Sequence, residues 1–211
     1  MGRKRTLDAE QGHGKAFEGH VKTLFYGGPD KGNKLNSLFD IDASVTGDGL
    51  PKNVKTSKGS TIDLADARAW WSIKEDYTLT LGRYVQKANI KDFYEVLEWK
   101  ITKNQHKDLL GGIPASSIEH FHNSLTKYGA GEHEKARSWA KAHKKTFSSS
   151  PTTLNPKVDS KMQRRLQCSI TIKRLTDIVG PPTSFTDEYE GTPLPRYKSP
   201  PRNERSTKEP K

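Results

Sequence analysis

The chain reads as an α/β protein. Three observations predict this class. One early stretch carries apolar residues at helical spacing, several short runs alternate or are rich in β-formers, and beyond Lys107 the pattern turns helical and basic. Its 211 residues suffice for one ordinary domain with extensions. Hydrophobic residues make up only 31%, and mean hydropathy is −0.87. That is polar for a chain packed along its whole length, so part of it is expected to be unstructured.

The elements follow in order. The polar start predicts a flexible N-terminus over 1–13. From Lys15 to Tyr26, Phe17, Val21, Leu24 and Phe25 fall on one helical face, and Gly27-Gly28-Pro29 stops that helix. Leu38 to Val45 alternates, which predicts a strand with Asp40 and Asp42 on one side and Phe39, Ile41, Ala43 and Val45 on the other. Gly47 to Pro51 is a turn and Asn53 to Ser57 a second strand. Asp63 to Ser72 looks helical; Trp70 and Trp71 are adjacent on it, so only one is expected to face inward, with the other covering a subunit contact. Tyr77–Gln86 and Phe93–Ile101 read as a hairpin.

Pro114–Tyr128 and Glu132–Phe147 follow as helices, with Ser148 to Pro151 as a linker. Val158–Val179 mixes basic and apolar residues and fits helix or strand. Gly180–Lys211 holds Pro, Ser, Thr and charge with few apolar residues, which predicts a disordered tail. No internal repeat is visible.

The formal net charge is +11, and it is concentrated. Glu134 to Arg174 holds eleven Lys/Arg against two Asp/Glu, whereas Gly180 to Lys211 holds six against five. A surplus of that size favours a polyanionic partner, nucleic acid before an anionic membrane. No apolar run approaches a membrane span, and the start lacks the apolar segment of a secretory signal. The single cysteine, Cys168, excludes an internal disulfide framework and a Cys-cluster zinc site. A reducing, cytoplasmic setting fits best, with nuclear and viral settings open.

The chemistry-bearing stretch is "FDIDASVTGDGLPKNVKTSKG", Phe39 to Gly59. Asp40 and Asp42, two apart on the expected strand, would point to one side, and Lys55 would stand on the neighbouring strand. Carboxylates beside a lysine suit a hard, oxygen-binding cation such as Mg²⁺, which takes few protein carboxylates and keeps waters and phosphate oxygens in its shell. Glu18 borders the apolar stripe of the first helix, and an inward carboxylate there would need a partner. The surface reading of such a pair is solvated decoration.

"GKAFEGHV", "FDID", "NVKTSKG" and "DLADARAWW" together resemble the core of the PD-(D/E)xK nucleases, and more narrowly type II restriction endonucleases. The resemblance covers roughly Gly14 to Ile101. It implies a restriction-endonuclease-like core, a central mixed β-sheet flanked by helices, with a basic helical region after it. It further implies a catalytic set of Glu18, Asp40, Asn53 and Lys55, and a Mg²⁺ held by Asp40, Glu18, Asp42 and the carbonyl of Val54. Asn53 departs from the family, which has an acid there. The domain reading is a nuclease domain over 14–179, with a catalytic core over 14–107 and a basic DNA-binding part over 108–179, then a tail over 180–211.

The expected activity is Mg²⁺-dependent, sequence-specific cleavage of double-stranded DNA in a restriction system, with a matching methyltransferase in the same genome. Cutting both strands of a palindrome calls for a homodimer. Arg164 and Arg165 are candidates for guanine and Gln163 or Gln167 for adenine; Lys157, Lys161, Lys173 and Arg174, with the helical lysines Lys141, Lys144 and Lys145, are candidates for phosphates. A structure-specific resolvase or repair nuclease, a non-catalytic DNA-binding protein and a basic nucleic-acid-coating virion protein are the alternatives. His120-Phe121-His122-Asn123 lacks the flanking pairs of an HNH site, and neither a Walker loop nor a Gly-x-Ser-x-Gly elbow occurs. Asp63 and Asp66 read as first-turn helix acids.

Overall fold

The β-rich middle of the chain builds a spine on which everything else is layered. The structure, a computed structural model, describes residues 12–27, 38–160 and 162–198. Helix α1 (Gly12–Tyr26) is followed by strands β1 (Lys52–Ser57) and β2 (Thr61–Asp66), helix α2 (Ala67–Trp71), and the hairpin of β3 (Tyr77–Lys87) and β4 (Ile90–Ile101). Helices α3 (Lys103–Leu110), α4 (Ala115–Thr126) and α5 (His133–His143) come next, then β5 (Thr153–Val158), β6 (Arg164–Thr171) and α6 (Ile172–Val179). Short strands follow: β7 (Thr183–Phe185), β8 (Glu188–Tyr189), β9 (Thr192–Pro193) and β10 (Arg196–Lys198).

β1 runs parallel to β3, β3 pairs antiparallel with β4, and β7 and β10 both add antiparallel to β4. The result is a mixed five-stranded sheet. A second, antiparallel sheet has the order β2-β6-β5. Alternation along the strands assigns the two faces of the mixed sheet. Val54, Tyr84 and Val96 share a core with Phe17 and Val21 of α1. Leu79, Leu81, Leu97 and Trp99 pack on the other side with α2 to α5 and the second sheet. Gly82 faces α1, where a Cβ would fall 2.5 Å from the Phe17 ring, so only glycine lets the helix approach this closely.

Several expectations are corrected. Leu38–Val45 is not a strand: Ile41 alone bridges to Lys52, and Ala43–Val45 form a 3-10 turn. The Asp42 side chain accepts the Ser44 N–H, offering the backbone a local partner in place of a ladder. Asp63–Ser72 is strand before it is helix, because buried Ile62 and Leu64 alternate with exposed Thr61 and Asp63. Trp70 and Trp71 are both buried, since five-residue α2 is enclosed and Trp71 donates its ring N–H to the Ile113 carbonyl. The stretch 183–198, expected in the disordered tail, forms strands, and Tyr189 there is fully buried.

The basic part is not purely helical either. It supplies β5 and β6, and β6 pairs with β2 across the boundary expected at residue 107. Of the N-terminus expected to be flexible over 1–13, residues 1–11 lie outside the described residues, while Gly12 and His13 begin α1; the part of the expected tail beyond 198 also lies outside them. Among the described residues no helix is long and apolar enough to cross a membrane.

Candidate active site

β1 is an edge strand of the mixed sheet, and Asp40 closes part of that edge. The N–H groups of Asp40 and Ile41 donate to the Lys52 carbonyl at 2.9 and 3.1 Å, which fixes the backbone alongside β1. This places Asp40 Oδ2 2.7 Å from the Val54 amide, where it accepts a hydrogen bond that an edge strand otherwise leaves to water. Lys55, the next residue, folds its side chain back. Its ammonium donates to the Val54 carbonyl at 3.0 Å and meets Asp40 Oδ2 at 3.3 Å. A carboxylate and a peptide carbonyl therefore share one cation, the lysine's own. The side chains are 17% and 23% exposed, for Lys55 and Asp40 respectively, so the pair is mostly shielded but reachable.

Asn53 lies two residues before Lys55 and shares its face of β1. It is buried, and its carboxamide oxygen has no hydrogen-bond partner among the described residues. A buried acceptor without a partner, on the strand face from which Lys55 issues, is the feature of this edge that packing alone does not explain.

The other expected ligands do not join. Glu18 is paired with Lys22 of its own helix at 2.6 Å, on the Val54 face of the sheet, opposite the face from which Lys55 issues. Asp42 is exposed, and its hydrogen bonds with Ser44 hold its carboxyl below the usual range. No group of three or more His, Cys, Asp or Glu gathers to hold a metal among the described residues. The four-ligand set of Asp40, Glu18, Asp42 and Val54 thus reduces to Asp40 and the Val54 carbonyl. The cause is the missing strand at 38–45 together with the local partner of Glu18.

Two features escaped the sequence reading. Asp63 and Asp66 are brought by β2 around the buried Cys168 thiol, whose pKa burial pushes up, with the two acids adding and Lys55 opposing. The strand is bulged between Asp63 and Ala65, and Ala65 has φ +67°, a left-handed conformation unusual for alanine. Asp66 caps α2 through the Arg68 amide at 2.8 Å and pairs with the Arg68 guanidinium at 3.1 Å. The other feature lies on the α1 face, where buried Lys52 meets Glu98 at 2.7 Å. Glu98 also accepts from Thr80 and Tyr189 at 2.6 and 2.7 Å. The signal for this network was the alternation itself, which puts Lys52 on the same side as Val54.

The expected DNA-contacting residues divide. Arg164 is buried and donates to the carbonyls of Asp159, Gln163 and Gly129, so it braces the β5–β6 connection and is not placed to read a base edge. Gln163 lies against the Arg165 guanidinium. Arg165 and Lys157 are exposed, Lys144 and Lys145 follow the end of α5, and Lys161 lies outside the described residues. His120 and His143 have ring centroids 6.4 Å apart, with His143 stacked on Trp139 at 4.8 Å.

No family model, curated protein or solved structure matches the chain. The functional reading therefore rests on geometry and charge.

Proposed function

We propose that the protein is a Mg²⁺-dependent endonuclease of double-stranded DNA, cutting at specific sequences in the manner of type II restriction enzymes. The observation that carries this reading is the convergence at the β1 edge: Asp40 Oδ2 and the Val54 carbonyl both lie within 3.3 Å of one ammonium, that of Lys55. Two oxygens that already share a cation fit a second, divalent one, provided waters and phosphate oxygens complete its shell. Asp40, the Val54 carbonyl and the Asn53 carboxamide oxygen are the groups that would hold Mg²⁺. The ion would neutralise phosphate charge and lower the pKa of a bound water.

This chain's own residues do the rest. Asp40 stays anchored by the Val54 amide, so its second oxygen keeps a fixed direction. Lys55, released from the carbonyl, would position the attacking water and stabilise charge developing on the phosphate. The basic surface supplies affinity by pairing with phosphates.

The test is incubation of the purified protein with a mixed-sequence plasmid, with Mg²⁺ or with EDTA. Discrete bands are expected with Mg²⁺ and intact plasmid with EDTA. Asp40→Ala and Lys55→Ala should each lower cleavage by about 10²-fold or more. A smear would replace the restriction reading with a non-specific nuclease. Intact plasmid under every condition would favour a second reading, a DNA-binding protein without catalysis. That reading draws on the absence of a three-acid cluster among the described residues.

A further inference from the structure

A second feature of the basic region is a concavity lined by cations. A cavity of about 410 Å³ opens between the end of α5, the start of β5 and helix α6. Lys141, Lys144, Lys145 and Arg174 line it, over a floor that includes Phe147, and among the described residues no carboxylate lines it.

The bland explanation covers three of these four cations. Lysines at the end of α5 complement the negative end of that helix. Arg174 has no such reason to be there. It sits in the first turn of α6, the end of a helix that disfavours a cation. The nearest acid on its own helix, Asp177, is spent on Lys173 at 2.7 Å. Arg174 makes one long bond, 3.4 Å to the Pro151 carbonyl, which leaves most of its five donors to spare. Two elements distant in sequence thus bring four cations to one concavity with no counter-charge among the described residues, which costs repulsion unless an anion is bound.

We propose that this cavity is a phosphate-binding site that seats one phosphate of a nucleic acid. It uses none of the residues of the Asp40–Lys55 pair. It rests on the nucleic-acid half of the proposed function and not on hydrolysis. The phosphate can be a monoester at a strand end or a diester within the backbone; both present the same oxygens to a cation cluster.

The experiment is equilibrium binding of a short labelled duplex, with 5′-phosphate or 5′-hydroxyl ends, in EDTA across a salt series. The full chain is compared with Lys144→Ala/Lys145→Ala/Arg174→Ala. A control, Lys74→Ala/Lys107→Ala/Lys127→Ala, removes the same charge from exposed positions elsewhere. The cavity variant should bind at least about ten-fold more weakly, and the salt slope should fall by about one for each phosphate that the variant no longer neutralises. The control should change far less. A wild-type preference for phosphorylated ends identifies the monoester; equal binding of the two duplexes identifies the diester. Equal losses in the two variants would overturn the site, as would wild-type protein that binds neither duplex. Because EDTA blocks metal-dependent cutting, failure of the plasmid test leaves this result readable.

Discussion

Asn53 is the residue on which the proposed chemistry at the β1 edge turns. It stands where the resembled family has an acid, and its buried carboxamide oxygen has no partner among the described residues. An amide can ligate a cation but adds no charge, so Asp40 alone carries the formal negative charge of this edge. Asn53→Asp makes the point testable. A buried carboxylate beside Asp40 repels it and is poorly solvated, so the variant should lose roughly 1–3 kcal/mol of stability in EDTA. Millimolar Mg²⁺ should restore most of that loss and leave the wild type less affected, which urea unfolding with and without the ion would show. A variant equally destabilised with Mg²⁺ and with EDTA would place the metal elsewhere or nowhere.

At the scale of elements, His106 pins three of them together. It sits on α3, fully enclosed, with Nδ1 3.1 Å from the Tyr77 hydroxyl of β3 and Nε2 3.0 Å from the Trp70 carbonyl of α2. A carbonyl only accepts, so Nε2 carries the proton and Nδ1 accepts from Tyr77. Burial lowers the His106 pKa to about 4, against the hydrogen bond to Trp70, which raises it. The unfolded chain takes up this proton near pH 6.5 while the folded protein refuses it until about pH 4. Stability from this site is therefore complete above pH 6.5 and falls as pH drops towards 4, by on the order of 3 kcal/mol. His106→Gln should be less stable at pH 7.5 yet show a flatter loss between pH 7 and 5. Urea midpoints that decline as steeply in the variant would assign the acid sensitivity to other groups.

Elements also show what the sequence disclosed and what it hid. The β3–β4 hairpin was legible because alternation and a short connection are local signals. So was the approach of Lys55 to Asp40, which needs only β1 and the segment before it. Glu18 misled because helical spacing tells which face a side chain lies on, while its partner Lys22, four residues on, decides where the carboxylate points. The strand expected at 38–45 failed because Asp42 turns its carboxylate onto the backbone. β5 and β6 were hidden by their mixture of charge and apolar residues; their pairing with each other and with β2 is not local.

The whole molecule depends on its last described segment more than its composition suggests. β7 and β10 complete the mixed sheet on β4, so the segment after Gly180 is part of the fold from Thr183 to Lys198. Tyr189 is fully buried, packs edge-on against Phe185 at 5.3 Å and donates to Glu98, the same carboxylate that holds buried Lys52. Tyr197 donates to the Ala16 carbonyl at 2.6 Å and meets Phe93 edge-on, tying α1 to the far end of the sheet. Few apolar residues suffice here because each one fills a place that the sheet and α1 leave open. Cutting the chain after Gly180 should then strip one core of its cover and leave Glu98 with two of its three partners. Loss of Tyr189 alone is worth about 3–5 kcal/mol by the measure of buried aromatics. At about 2–4 °C per kcal/mol for a chain of this size, the melting temperature should fall by roughly ten degrees or more. Tyr189→Ala in the full chain should reproduce a large part of that fall. A truncated protein that melts with the wild type would return residues 183–198 to a dispensable tail.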